Sequence, residues 1–278
     1  MHKYSRWKID NDYFKTEDYK LNNNIASIIS EKGYEEISKK FTHIKPHEIE
    51  DVLNLFPKVY QSLQGFGIDI GGGVASVSSV VAKSNLVKNI ICLEITENCV
   101  TKCHPIVINK ILGRDSLKVS SVIGDFDNLE LEDKSLNFAI AWDALHHSNN
   151  VVKTLNEINR VLIPGGYFVL IDRAHNNNTP DSEIDRMLNV QYSKEFLKDN
   201  YLPEDKILTR SDNGEHEYRY NEWEKFFKSS NFTIEESFIV IESSKENKIH
   251  NDVGIKEVFV DYELGGFERQ KVIYLLKK

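Results

Sequence analysis

Asp69 stands two residues ahead of three consecutive glycines, Gly71, Gly72 and Gly73, in the stretch GIDIGGGVAS. Glycines at a strand's end let a ligand approach the backbone, and the helix that follows presents free N–H groups. An acid beside such a turn repels a pyrophosphate and attracts a cation. Glu94, in CLEI, lies about twenty residues further on, where an acid accepts hydrogen bonds from a ribose diol. Together the two acids ask for a ligand with a ribose and a positive end.

Two familiar nucleotide signatures are not met. Ser76 stands where the third glycine of a dinucleotide fingerprint belongs, and the Gly-Lys-Ser/Thr of a P-loop is missing.

A second group could move protons or grip an acceptor. His146 and His147, in AIAWDALHHSNN, follow a strand at its carboxyl end, and histidine titrates near neutral pH, so both are candidate general bases. Arg173, His175, Arg186, Arg210, His216 and Arg219 lie in a later polar stretch. Of these, Arg173, His175 and Arg219 are the candidate substrate contacts, because guanidinium groups bind carboxylate and phosphate bidentately. Asp172 with the two histidines offers metal-ligand types, as does Cys103 beside His104, but neither spacing demands an ion. No metal is expected.

The elements that position these residues follow from apolar periodicity. From Phe66 onward, strand-like runs alternate with helical patterns, which predicts a parallel sheet covered on both faces. FGIDI, NIICLEI, LKVSSVI, LNFAIAW and GGYFVLID are the first five strands. Helices are expected over residues 74–83, 99–112 and 150–162, the last ended by Pro164-Gly165-Gly166. YNEWEKFFKSS reads as a late helix, and FTIEESFIVI and RQKVIYLLKK as two closing strands.

Residues 1–64 read as a helical leader, with PHEIEDVLNLFPKVYQSL showing helical periodicity and Pro46 in its first turn. Residues 65–278 form the main domain, and 173–220 are an insertion too polar and broken to be core, of the kind that builds a binding face.

The formal charge of −8 leaves no general pull towards nucleic acid, so a small-molecule acceptor is the expected partner. No run approaches the roughly 20 apolar residues of a membrane helix, and a cytoplasmic location follows by default. Cys92, Cys99 and Cys103 are expected to be reduced thiols. Oligomeric state leaves no mark in the sequence.

At this point the chain resembles the class I S-adenosylmethionine-dependent methyltransferases, whose first motif of strand, acid, x, Gly, x, Gly is matched by Asp69-Ile70-Gly71-Gly72-Gly73. The similarity continues through VIGDFDNL, AIAWDALHHSNN and LNEINRVLIPGGYFVLID, and more faintly through HEYRYNEWEKFFKSSNFTI. The resemblance implies an α/β, Rossmann-like, seven-stranded, mostly parallel sheet with S-adenosylmethionine as cofactor. It implies that Asp125 and Phe126 contact the adenine and that Trp142 or Asp143 borders the methionine portion. Asn137 and Asn231 depart from the family pattern at positions away from that pocket.

The function so implied is methylation of a small polar metabolite, on oxygen rather than nitrogen, with a sugar or sugar-nucleotide acceptor suggested by the arginines. A nicotinamide-dependent oxidoreductase shares the sheet, but Asp69 and the missing third glycine oppose it. A non-catalytic scaffold that kept the cofactor fold is the remaining alternative.

Overall fold

Gly65–Ile70 (β2) enters the sheet as its apolar centre, with Ile68 and Ile70 fully buried. In this computed structural model, which describes residues 3–10, 12–41, 45–243, 252–264 and 270–278, the other strands are β1 (Tyr4–Arg6), β3 (Val87–Glu94), β4 (Val119–Ile123), β5 (Leu136–Trp142), β6 (Leu162–Asp172), β7 (Thr233–Glu242), β8 (Lys256–Val260) and β9 (Gln270–Lys277). They form one nine-stranded sheet in the order β1-β4-β3-β2-β5-β6-β9-β7-β8. The pairings from β1 through β6 are parallel, β9 runs antiparallel to both β6 and β7, and β8 pairs parallel with β7. The seven expected strands are present, with two short ones added at the sheet edges. The seventh was expected to begin at residue 269, which lies outside the described residues.

Alternating side chains divide the core between the sheet's faces, as strand geometry dictates. Cys92, Phe138, Ile140, Val169 and Ile273 join one cluster, which includes the helices α3 (Pro46–Leu55), α4 (Pro57–Ser62) and α5 (Ser76–Ala82). Ile68, Leu93, Ala139, Phe168 and Tyr274 join the other, under α7 (Val151–Val161) and α10 (Tyr220–Ser229). The chain order is completed by α1 (Glu17–Lys32), α2 (Tyr34–Phe41), α6 (His104–Leu112), α8 (Asp181–Leu188) and α9 (Lys194–Asp199). A third cluster joins Leu21, Ile25 and Ile29 of α1 to Val74, Cys103, Leu197, Leu202 and Leu208, so leader and insertion pack together. Among the described residues no helix is long and apolar enough to cross a membrane.

Prolines account for three departures from the expected elements. The helical stretch PHEIEDVLNLFPKVYQSL is divided into two helices, because Phe56 precedes Pro57 and is held out of the helical region at φ −125°, ψ 79°. The helix expected over 99–112 starts as a wide π turn, Cys99–Cys103, and becomes α-helical only at His104. There Pro105 lacks the N–H a regular helix would use. Pro164-Gly165-Gly166 does not end α7, which stops at Val161; it forms a bulge inside β6, where pairing skips from Leu136↔Leu162 to Phe138↔Tyr167. Asn137 sits at that bulge and accepts the Phe66 N–H at 2.9 Å.

Gly67 is required by packing, not by backbone conformation. A Cβ there would lie 2.1 Å from the ring of Phe138, which is wholly buried. Gly67→Ala is expected to destabilise the protein by roughly 1–3 kcal/mol, the usual cost of overpacking a core. Urea unfolding should show that loss, and a smaller one in the Gly67→Ala/Phe138→Leu double variant, since neighbouring substitutions are not additive.

Candidate functional site

The turn after β2 is shaped by conformation and by close approach. Gly71 has φ +68° and a Cβ there would sit 2.7 Å from the Cβ of Ala144; Gly73 has φ +54° and a Cβ there would meet nothing within 4 Å. The second position opens onto a cavity of about 720 Å³, within the ~300–1,000 Å³ of pockets that enclose a small ligand.

Neutral groups hold the acids of this turn. Asp69 is buried and its carboxylate accepts from the Ser78 hydroxyl at 2.6 Å; burial lifts its pKa to about 7 despite that bond. Glu94 accepts the N–H of Gly73 at 3.0 Å and that of Thr96 at 2.8 Å, and burial raises it as well. His104 braces the turn from beneath: Nε2 donates to the Gly73 carbonyl at 2.9 Å and Nδ1 accepts from Ser121 at 2.8 Å. That explains the histidine the sequence placed beside Cys103. All three cysteines are free thiols, and buried.

At the carboxyl edge of the sheet the charges are packed against one another. Asp143, at φ +53° just past β5, is bound by Lys271 of β9 and by Arg173 Nε at 3.3 Å. Burial pushes its pKa up, but those two cations outweigh burial and hold it well below the carboxylate range. Arg173 also binds Glu215, and Arg210 binds both Glu217 and, at 3.2 Å, Glu215. Against the upward push of burial, Arg173 and the charges behind it bring Glu215 down to about 2.

The two histidines occupy different places. His146 is buried and does not line the cavity; its Nδ1 donates to Asp172 at 2.6 Å, and its Nε2 stands 3.5 Å from Glu215. His147 lines the cavity. Its Nδ1 donates to the Gly214 carbonyl at 3.1 Å, which leaves Nε2 as an acceptor. Burial, then the neighbouring His146 ring 4.3 Å away, lowers its pKa to about 4, so it is neutral at pH 7.

Asp69, Gly71, Gly72, Gly73, Glu94, Asp125, Phe126, Trp142, Asp143 and Arg173 all line the same cavity as His147. Two sequence candidates for substrate contact do not. His175 is buried against Glu217 at 2.7 Å, and Arg219 donates to the Thr179 carbonyl at 2.8 Å and pairs with Asp181; both tie the insertion to itself and to α10. Arg186 pairs with Glu183 at the surface, and His216 donates to the His146 carbonyl at 2.8 Å.

Sequence reasoning passed over Tyr13, Asp18, Tyr192, Glu215 and Lys271, which also line the cavity. Nothing in their spacing links them to the glycine turn.

His146, His147 and Glu215 bring three metal-ligand atoms within 4.8 Å, and so do Asp143, His146 and Asp172. Arg173 and Arg210 already place positive charge on Glu215, where a metal ion would add more.

Residues 68–170 match a family described as a methyltransferase domain. The chain is similar to sarcosine/dimethylglycine N-methyltransferase of Aphanothece halophytica, 34% identical over 71 residues that cover 26% of each chain. It is also similar to norajmaline N-methyltransferase of Rauvolfia serpentina, 32% identical over 117 residues, 42% of this chain and 38% of the relative. The matched stretches thus span well under half the length of these curated relatives. Among solved structures, a SAM-dependent methyltransferase of Leishmania major superposes with a TM-score of 0.59 over 94% of this chain and 81% of that one, at 11% identity, a likeness of fold. Strand order and glycine turn agree with the match of residues 68–170 to a methyltransferase domain.

Proposed function

We propose that this protein transfers a methyl group from S-adenosylmethionine to a nitrogen of a small polar metabolite. The observation that carries the reading is the cavity whose wall holds Asp69, Gly73 and Glu94 together with His147 and Glu215. It brings a candidate ribose-binding acid and a bare turn into one space with the acceptor nitrogen of a neutral imidazole.

The cofactor supplies an electrophilic methyl on a positive sulfur, which leaves as a neutral thioether when an acceptor lone pair displaces it in line. The chain's task is to hold and to orient. Glu94 has acceptor capacity beyond its two backbone bonds for a ribose diol, Asp69 puts negative charge at the turn, and Asp125 and Phe126 are on the wall for the base. Trp142 and Asp143 border the remaining end.

Nitrogen is favoured over the oxygen that the sequence suggested. A general base works best with a pKa near the working pH, and at about 4 His147 is too weak a base to draw the proton from an aliphatic hydroxyl. An amine already carries its nucleophilic lone pair once neutral, so His147 Nε2 need only accept an N–H hydrogen bond and aim that lone pair. Both curated relatives are named as N-methyltransferases, which supports the same choice. The sugar or sugar-nucleotide acceptor loses its support, because Arg173 and Arg210 are engaged by acids and Arg219 is away from the cavity.

Calorimetry with S-adenosylhomocysteine should give saturable binding. Glu94→Ala is expected to weaken it by about tenfold or more, in line with losing hydrogen bonds to a charged group, and Gly71→Val to abolish it, through its positive φ and the contact with Ala144. Unchanged affinity in both variants would overturn the cofactor assignment.

With labelled cofactor, methylation should fall on amines and not on the matching alcohols. The rate should rise with pH as the amine loses its proton, with no limb near 6.5 from His147, which is already neutral above about pH 4. His147→Ala is expected to cut kcat/KM by up to about 10²-fold, the lower range for a proton-handling side chain, and to leave the midpoint of the pH profile in place.

A further inference from the structure

We propose that Asp18, on the first turn of α1, is the anionic subsite that recognises the acceptor, and that the acceptor first binds as a compact ammonium cation, which gives its proton to water before the nitrogen lone pair can take the methyl. The proposal deepens the methyltransferase reading and rests on it for the identity of the neighbouring ligand.

The charge balance of the cavity wall is the first argument. Three of its cations are matched, Lys271 with Asp143, Arg173 with Asp143 and Glu215, and Arg210 with Glu215 and Glu217, while Lys39 and Lys40 of α2 also line the wall. Asp18 has only neutral partners among the described residues, the Tyr13 hydroxyl at 3.3 Å and the Asn22 amide at 2.7 Å. Asp69 and Glu94 are likewise served by neutral donors, and the cofactor reading gives those two a positive ligand. The third awaits one.

Its place is the second argument. A Cβ on Gly214 would lie 3.7 Å from the Asp18 carboxyl and 3.6 Å from His147 Nδ1, so Gly214 of the insertion holds the leader's acid close to His147 on the wall of the cavity that both line. Tyr13 and Tyr192 line the same space, and aromatic faces beside a carboxylate suit an alkylammonium group. Helix capping does not account for the residue, because Thr16 already accepts the Tyr19 N–H of that first turn.

The groups that face Asp18 are Tyr13 from the preceding turn, Asn22 from its own helix, Glu94 from the end of β3 and Glu215 from the insertion. Burial, against the Tyr13 bond and with the two acids adding to it, raises its pKa to about 6. A cation therefore binds best above that pH and is released as Asp18 takes a proton below it.

Tetramethylammonium is the probe, because it is permanently charged and cannot be methylated; tert-butanol is its uncharged counterpart in shape. Titrations followed by tryptophan fluorescence and by NMR, with and without saturating S-adenosylhomocysteine, should show saturable tetramethylammonium binding and none of tert-butanol. Affinity should fall as pH drops through about 6. Asp18→Asn should weaken tetramethylammonium about tenfold and remove the pH dependence, with S-adenosylhomocysteine and S-adenosylmethionine affinity changed less than about twofold. Tyr13→Phe, which removes only one hydroxyl, should move the pH midpoint upward and serves if Asp18→Asn fails to fold. Equal binding of the two probes, an unchanged Asp18→Asn, or a loss confined to the cofactor's affinity would overturn the assignment. Failure of the wild-type protein to bind S-adenosylhomocysteine would instead sink the cofactor reading, while the titration without it still decides for or against Asp18.

Discussion

Arg173 is the residue on which the working end of this molecule converges. It leaves β6 at the carboxyl edge of the sheet, bridges Asp143 and Glu215, and stands 3.9 Å from Glu217. Moving charges out of water is costly unless each finds a partner in good geometry. Here that condition is met only if the ends of β5 and β6, the insertion and the last strand come together, because Lys271, Arg210 and the acids they hold arrive from all four. Truncating one member would strand a buried charge, which typically costs about 3–5 kcal/mol. The knot therefore specifies where the insertion sits on the sheet.

The same knot sets the chemistry. Its cations are consumed within it, and the acids elsewhere on the wall, Asp69 and Glu94 at the glycine turn and Asp18 in the leader, are hydrogen-bonded by neutral donors. It also keeps His147 neutral: burial and the nearby His146 ring disfavour the imidazolium, and Glu215, the acid that could have supported it, is engaged by Arg173 and Arg210. A single electrostatic arrangement thus weakens His147 as a general base and leaves its Nε2 as a hydrogen-bond acceptor.

What the sequence disclosed was local. The acid and glycines of the first turn, Glu94 one strand later, and the alternating period of the sheet all act over a few residues, so spacing alone reveals them. The edge strands β1 and β8 escaped because runs of three and five residues with exposed side chains carry little period. Proline effects at Pro57, Pro105 and Pro164 were visible in composition, yet whether each breaks, widens or bulges an element is decided by what packs on it. His146 and His147 are adjacent and alike in sequence; one faces Asp172 and the other the cavity, a distinction that only the 3₁₀ turn bearing them creates. Asp18, Glu215 and Lys271 belong to segments up to 253 residues apart, and no periodicity joins them.

The leader and insertion meet over the cavity through apolar contact. Surface pairs such as Lys206 with Glu17 and the bonds between Lys32, Tyr201 and Glu36 decorate the seam, but exposed ion pairs contribute only about 0–1 kcal/mol each. The cluster of Leu21, Ile25, Ile29, Leu197, Leu202 and Leu208 beneath them buries far more, at roughly 25 cal/mol per Å². Because Val74 of the glycine turn belongs to that same cluster, the leader and the insertion rest directly on the turn, and displacing either from the cavity would loosen contacts to the turn as well.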